Sequence, residues 1–339
     1  MRLMFKKPIP KISTIGGGTG SFVILSGLKD FPVELYAIVS MMDSGGSTGK
    51  LRDQLGVLPP GDLRQALVAL SESEDIWRTL FTYRYDNGDL SGHNFGNILL
   101  STLERITGSN KDAVNYAMRI LQTKGEVIPV TYSDCTLCAE YEDGDIVMGE
   151  SIIDNNVYSQ SRIKRVYLSP GALINIDAKR ILERSDFIII GPGDLYTSIF
   201  PNLVVEGMKD TLSGVTAKKI FISNLMSKKG QTDAFKLTDF LEEIEKYAGE
   251  NILDYVLINS VKPDPDILKI YQEKEGSWMI EDNVKGKYFK KTRIIRADLI
   301  SREKIQQNPS DQVKRSLIRH DPRKTAESIY RIIDSRSLF

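Results

Sequence analysis

The 339-residue chain has little of what marks a specialised class. It holds two cysteines, two histidines and two tryptophans, and 45 Lys plus Arg are matched by 45 Asp plus Glu, for a formal net charge of zero. Binding along a phosphate backbone rests on an excess of cations, so no nucleic-acid partner is expected. The longest basic cluster, Lys285 to Arg296, is interleaved with Tyr288, Phe289, Ile294 and Ile295 and reads as a strand or turn with a solvated face. Apolar runs such as Phe187–Ile190 and Tyr255–Ile258 are short, against the roughly 18 residues a spanning helix needs, so no membrane insertion is expected. Arg2, Lys6 and Lys7 precede no apolar h-region, and Pro8 and Pro10 interrupt the stretch. This reads as no signal peptide and a cytoplasmic protein.

The two cysteines form one C-x-x-C, Cys135 and Cys138, the spacing of a redox pair or half a zinc site. Alternation through Leu137, Ala139 and Tyr141 is that of a strand entering an Asp143-Gly144 turn. Residues three apart on a strand face opposite sides, and there is no second C-x-x-C, so neither role is expected. The remaining composition, 41% hydrophobic and 27% charged, is that of a globular protein able to bury a full core.

Strand and helix signals alternate. Lys11–Ile15 reads as a strand, Gly16–Gly20 as a glycine turn, and the periodic Phe22, Leu25 and Leu28 as a helix. Leu35–Val39 is a second strand, followed by the small-residue loop Ser44–Gly49. Helices then fill about 50–125 as an insertion. One is opened by Asp62 as N-cap with Gln65 completing a capping box, another by Asn94 and closed by Gly108, and a third spans about Lys111–Thr123. A strand at Val127–Tyr132, the Asp143-Gly144 hairpin and a strand at Val166–Leu168 follow. Helices at Ala178–Arg184, Pro201–Leu212 and Ala234–Tyr247 then alternate with strands at Phe187–Ile190, Lys219–Ser223 and Tyr255–Ile258. Strand Thr292–Ala297 and helix Arg323–Ile333 close the chain. The expected fold is one α/β domain over 1–339: a Rossmann-like parallel sheet covered by helices on both faces, with a helical insertion and a β-hairpin.

In such a sheet ligands bind outside the carboxyl ends of the strands, and the loops there are rich in Gly, Ser, Thr, Asn and Asp. Gly16, Gly17, Gly18, Thr19 and Gly20 lie between strand and helix, where glycines admit a phosphate to the free N–H groups of a helix start. The dinucleotide fingerprint is not met, because Ser21 stands at its third glycine. The readings are a phosphate cradle or a tight turn. The second loop, Asp43, Ser44, Gly45, Gly46, Ser47 and on to Lys50, fails the Walker pattern at Ser44 and Leu51. Asp43 is either a magnesium ligand shared with phosphates or a loop carboxylate. His93 and Asn94, with Asn97 a turn on, either face the ligand or form a helix cap beside a surface histidine. Gly191-Pro192-Gly193 is followed by Asp194, Tyr196, Thr197 and Ser198, which offer hydrogen bonds from an opened loop or complete an ordinary turn.

Six ordered segments resemble one family: Lys11–Gly20, Asp43–Arg52, Leu58-Pro-Pro-Gly-Asp-Leu-Arg64, Gly92–Asn97, Gly191–Ser198 with Pro201-Asn202, and Asn224–Met226 with Gly230–Asp233. They are similar to the YvcK-type gluconeogenesis factors, which resemble CofD, the 2-phospho-L-lactate transferase. Lys50 stands where that pattern has Arg, which keeps the charge and loses the bidentate fork. Ile270-Tyr271 and Arg319–Pro322 also resemble the YvcK branch. The resemblance implies a UDP-sugar or nucleoside diphosphate ligand held in these loops, with Asn202, Asn224, Tyr271 and Arg319 completing the site. It implies a regulatory role in cell shape and wall synthesis during gluconeogenic growth. The alternative is a transferase moving a 2-phospholactyl-type group from a nucleoside diphosphate donor to a deazaflavin alcohol. There Asp43 and Asp62 would position magnesium or the acceptor. No organic cofactor is expected, Mg2+ is open at Asp43, and wall-synthesis protein partners and a homodimer are left open.

Overall fold

The computed structural model describes residues 8–155, 161–302 and 318–335, so the leader reading on Arg2, Lys6 and Lys7 lies outside it. Strand β1 (Lys11–Gly16) pairs in parallel with β2 (Glu34–Val39) through helix α1 (Gly18–Leu28). Five helices follow: α2 (Gly46–Leu55), α3 (Gly61–Leu70), α4 (Asp75–Thr82), α5 (Phe95–Thr107) and α6 (Asn110–Leu121). Strand β3 (Glu126–Pro129) then returns beside β2. The chain next leaves the main sheet through β4 (Thr136–Tyr141), β5 (Ile146–Met148), α7 (Glu150–Asn155) and β6 (Ile163–Ser169), where the expected hairpin gains a third strand in the order β5-β4-β6. It re-enters through α8 (Ile176–Arg184), β7 (Phe187–Ile190), α9 (Phe200–Leu203), α10 (Met208–Gly214), β8 (Lys218–Ile222), α11 (Leu237–Ala248), β9 (Tyr255–Asn259) and α12 (Pro265–Ile270). The short β10 (Tyr288–Phe289), β11 (Thr292–Ala297) and α13 (Pro322–Ser335) follow.

The eight-stranded sheet runs β10-β11-β9-β8-β7-β1-β2-β3, parallel throughout except for β10 against β11. Alternate side chains of β7 enter two cores, as a sheet covered on both faces requires. Ile188 and Ile190 pack with Leu212, Phe240 and Ile244, and Phe187 and Ile189 pack with Leu25, Leu67 and Ile329. The basic run Lys285–Arg296 becomes the β10–β11 edge hairpin, its cations paired as Lys290 with Glu245 and Arg296 with Asp282. Cys135 and Cys138 are buried free thiols, and burial pushes Cys135 up to about 11. Among the described residues no helix is long and apolar enough to cross a membrane.

Two expectations are corrected. The helix expected over Pro201–Leu212 is two short helices, α9 and α10, preceded by a π-helical turn at Leu195–Ile199. The break falls where Glu206 exchanges backbone hydrogen bonds with Ala172 and Ile174 (both 2.9 Å) and Gly207 turns the chain at φ +88. Tertiary pairing overrides helical periodicity there. Asp62 is not an N-cap: α3 starts at Gly61 with Pro60 as its cap, and the Asp62 carboxylate reaches a different helix.

Candidate functional site

The chain runs outward one way from β1 through β2 to β3 and the other way from β7 through β8 to β9. The junction of β1 and β7 is thus the switch point of the sheet, where loops diverge and leave a crevice. The loops that meet there are Gly16–Gly20 and Gly191–Ser198. A Cβ on Gly20 would lie 2.0 Å from the Pro192 carbonyl oxygen, so only glycine lets the two loops close. Gly17 is the N-cap of α1 without a side-chain hydrogen bond, and Gly18 opens the helix at φ +62. The Gly18 N–H donates to Asp62 Oδ1 at 2.7 Å. Asp62 therefore offers its carboxylate to the helix start on which the cradle reading rests.

Beside it, Asp43 Oδ1 accepts from the Gly45 N–H at 2.9 Å. Burial and the charge of Asp43 push Asp62 up to about 7, against the Gly18 N–H and Arg64. Burial likewise raises Asp43, with Gly45, Thr48 and Arg64 opposing. Glu150, at the start of α7, is pushed up to about 9 by burial and then by Asp43, Asp154 and Asp62. Beneath these carboxyls lies Arg64, 9% exposed, its Nε donating to Asn97 Oδ1 at 2.8 Å. This side of the crevice is rich in acid and backbone donors.

His93, Asn94, Asn97 and Ser47 form a buried bracket under that loop. Asn94 caps α5 by accepting from the Asn97 N–H (3.1 Å) and donates to the Tyr83 carbonyl (2.9 Å). Asn97 Nδ2 donates to Thr48 Oγ1 at 3.2 Å, and Ser47 Oγ accepts from the Asn94 N–H at 3.2 Å and lies 3.3 Å from His93 Nδ1. The capping reading of Asn94 holds, while His93 is buried rather than a surface residue. These side chains hold the second loop in place. Gly46 and Ser47 belong to the first turn of α2 rather than to the loop, and Lys50 is exposed. Ser44 Oγ accepts from the Ser151 N–H at 3.0 Å and ties the loop to α7.

On the far side, Asp194 accepts from Lys228 Nζ at 3.1 Å. Lys228 also donates to Asp154, which takes the Thr197 hydroxyl at 3.0 Å. Burial raises Asp194 against the pull of Lys228. Burial lowers Lys228, but Asp194 and Asp154 more than offset it and leave it near 12. Tyr196 turns the other way: it is 1% exposed, stands edge-on to Phe200 and donates to Glu243 at 3.2 Å. Its hydroxyl is thus engaged in the core and not in the crevice. Asn202 donates to the Ser198 carbonyl (3.0 Å) and Asn224 to the Gly193 carbonyl (2.9 Å), both bracing the Gly193–Ser198 loop.

Only 4% exposed, Tyr271 packs with Leu225, Met226, Ile300 and Ile318, and its hydroxyl accepts from the Ile318 N–H at 3.2 Å. Its ring is buried and not open to stacking on a base. It anchors the segment bearing Arg319 instead. His320 Nε2 lies 3.2 Å from the Ser223 carbonyl at the end of β8, and burial pushes His320 down to about 4. This contact brings Arg319, half-buried, toward the carboxyl edge.

Asp154, Glu150, Arg64, Lys228 and Gln231 were not singled out from sequence. Arg64 and Gln231 lie inside motif segments, and Lys228 lies two residues ahead of one. Asp154 and Glu150 have no sequence signal at all, because α7 is brought to the crevice by the excursion through the small sheet.

These loops and this strand order define a Rossmann-like α/β protein with a polar crevice at its switch point. A family model described as 2-phospho-L-lactate transferase CofD matches residues 12–300. The gluconeogenesis factor of Bacillus subtilis is 38% identical over 319 residues, covering 94% of this chain and 96% of that protein. That of Listeria monocytogenes is 37% identical over 336 residues, covering 98% and 99%. A crystal structure of a UPF0052-family protein from Bacillus halodurans is 35% identical with a TM-score of 0.85, covering 96% of this chain and 99% of that one. The chain belongs to the CofD family, on the branch whose curated relatives are called gluconeogenesis factors.

Proposed function

We propose that the chain binds a nucleotide-sugar of the UDP-GlcNAc type at its switch-point crevice and acts as a regulator of cell shape and wall synthesis during gluconeogenic growth. The observation that carries this reading is the contact of the α1 N-terminus with the Gly191–Ser198 loop, Gly20 lying against the Pro192 carbonyl. A diphosphate at that point faces backbone N–H groups and the positive end of a helix. It also faces Asp43 and Asp62, so its charge must be offset. Asp62, with a carboxyl near 7, can hold a proton there. Asp43 and Asp62 also supply two hard oxygens, a donor set that suits Mg2+ when phosphate oxygens and water complete its shell. Bound there, the ion would neutralise the phosphate charge. Calorimetric titration with UDP-GlcNAc, GDP and GTP, with and without magnesium, tests the reading. Binding of UDP-GlcNAc strengthened by magnesium is expected, and the absence of any nucleotide binding ends it.

A second reading, the transferase, is favoured by the CofD match and by the Asp62 carboxyl near 7, poised to take a proton at neutral pH. The acceptor alcohol would attack the phosphorus bearing the lactyl group, lose its proton to Asp62 and expel nucleoside monophosphate. Incubation with a nucleotide-linked phospholactate, a deazaflavin alcohol and magnesium separates the two. The regulator releases no monophosphate, whereas multiple turnovers lost in Asp43→Asn identify the enzyme.

A further inference from the structure

In the helical insertion, helix α4 leaves most of its apolar side chains in solvent. Half of its residues are apolar, Ile76, Trp77, Leu80 and Phe81, yet only Phe81 is buried. Ile76 is 57% and Trp77 39% exposed, Leu80 is half-buried, and Tyr83, which caps the helix end, is 40% exposed. Ile76, Leu80 and Tyr83 recur at the spacing that lines up one side of a helix. Tyr85 extends the stripe, its ring edge-on to Tyr83 at 5.1 Å. Apolar residues scattered singly over a surface need no explanation. A continuous stripe rich in Trp and Tyr is what a contact surface for a partner carries.

Backbone and charge decide what fits there. The main chain beside the stripe offers no edge to an extended segment. The Tyr83 carbonyl accepts from the Phe95 N–H (2.9 Å) and from Asn94 Nδ2 (2.9 Å). The Tyr85 N–H donates to the His93 carbonyl (2.9 Å), and its carbonyl accepts from the Gly92 N–H (2.8 Å). A helix satisfies its own backbone and can lay an apolar side along the stripe instead. The surroundings are acidic. From Glu72 to Asp89 the chain holds five acids against two arginines. Glu72 pairs with Lys124 at 3.6 Å, but Glu74, Asp75, Asp86 and Asp89 are exposed and form no ion pair among the described residues. Arg84 is committed to the Gly92 carbonyl at 2.6 Å, and the charge of Arg78 bears on Lys29. A two-fold contact lays a patch against itself, so a second copy would set these acids against their own kind. A partner with cations along its flanks meets no such repulsion.

We propose that this side of α4 is the docking surface for a cationic amphipathic helix of another protein. Ile76, Trp77, Leu80 and Tyr83 receive its apolar side. The acids at the start of α4 and in the loop after it, Glu74, Asp75, Asp86 and Asp89, face its Lys and Arg residues. The surface serves this role whatever the crevice holds.

The test uses labelled helical peptides of about 18 residues, or about five turns, titrated with the full chain by fluorescence anisotropy. One carries a Leu stripe flanked by Lys, a second the same stripe flanked by Glu, and a third Lys without the Leu stripe. The Leu/Lys peptide should bind at least about tenfold tighter than either of the others. Ile76→Ser and Trp77→Ser, both changes at exposed positions, should each weaken it at least about tenfold with melting temperature little changed. If Trp77→Ser does not fold, Ile76→Ser carries the test. Glu74→Lys with Asp75→Lys should weaken the Leu/Lys peptide and strengthen the Leu/Glu one. With Trp278→Phe, Trp77 is the one tryptophan left, and its emission should shift to the blue as the Leu/Lys peptide covers it. No binding by the wild type overturns the docking surface, as does an affinity unchanged in both Ile76→Ser and Trp77→Ser. Equal binding of the Leu/Lys and Leu/Glu peptides overturns the cationic partner. Self-association of the wild type in sedimentation, lost in Ile76→Ser, gives the face to a second copy and overturns the proposal as well.

Discussion

The two sides of the crevice handle negative charge in opposite ways. On the β1–β2 side, Asp43, Asp62 and Glu150 crowd together with no salt bridge to any of them among the described residues. Their relief comes from backbone N–H groups and from Arg64 below. On the β7–β8 side, Asp154 and Asp194 share Lys228 at 3.1 Å. The first side stays electrostatically unsatisfied, and its carboxyls hold protons to about 7 and about 9. The second side largely satisfies itself. A crevice built this way invites a cation or a proton at one end and neutral polar groups at the other.

The contrast is broken most severely at the junction of the two sides. Gly20→Val would drive a side chain into the Pro192 carbonyl, 2.0 Å from where its Cβ must lie. We expect a stability loss of about 1–3 kcal/mol from overpacking and at least a tenfold loss of nucleotide affinity by calorimetry. Gly18→Ala has room, with Ser198 Oγ at 4.0 Å, and should cost only the roughly 1–2 kcal/mol of a left-handed residue. Unchanged affinity in a folded Gly20→Val protein would remove the junction from the site.

The acidic side is read by pH. A carboxyl that binds its proton more tightly folded than unfolded loses stability as pH rises between the two pKa values. For Asp62 that window runs from 3.8 to about 7, and for Glu150 from 4.5 to about 9. Urea unfolding should show stability falling across pH 4–9, by about 2 kcal/mol over the Asp62 window once solvent screening in the crevice is allowed for. Asp62→Asn should flatten the slope below pH 7. Lys228 has the same sign in a higher window: its contribution persists to about 10.5 and is lost as pH rises through about 12. A slope below pH 7 that survives in Asp62→Asn would assign the proton to another group.

Arg319→Glu probes the rim over the β8 end. Losing one charge-assisted contact costs on the order of 1.5–3 kcal/mol, so affinity for a UDP-sugar should fall at least about tenfold with little change in melting temperature. A large fall in melting temperature at unchanged affinity would make Arg319 structural. The smallest effect is expected for Tyr271→Phe, which removes the acceptor for the Ile318 N–H. About 0.5–1.5 kcal/mol of stability should go, with affinity lowered about twofold or less. A tenfold loss of affinity without destabilisation would make Tyr271 a ligand contact.

Much of the frame was legible from residue patterns. The expected strands Phe187–Ile190 and Thr292–Ala297 match the observed ones at both ends, because continuous or alternating β-branched runs have few other ways to be buried. The Asn94 cap was legible because capping is a contact over three residues. Where partners are remote, local reasoning failed. Asp62 carries the chemistry of a cap and sits at a helix start, yet its bond is to Gly18, 44 residues away. Tyr196 and Tyr271 lie in polar, motif-like segments, and packing turned both inward.

Composition and periodicity by themselves determined the class of this protein: a covered, mostly parallel sheet with small, polar loops after its strands. Those properties follow from burial and backbone geometry, which act over a few residues at a time. Only the tertiary structure decided which polar atoms spend themselves on one another and which remain open. Lys228 meets Asp154 from 74 residues away and Gln231 meets it from 77. A hydrogen bond is specified to a few tenths of an ångström by the elements that carry its two ends, and their relative placement comes from the packed cores on both faces of the sheet.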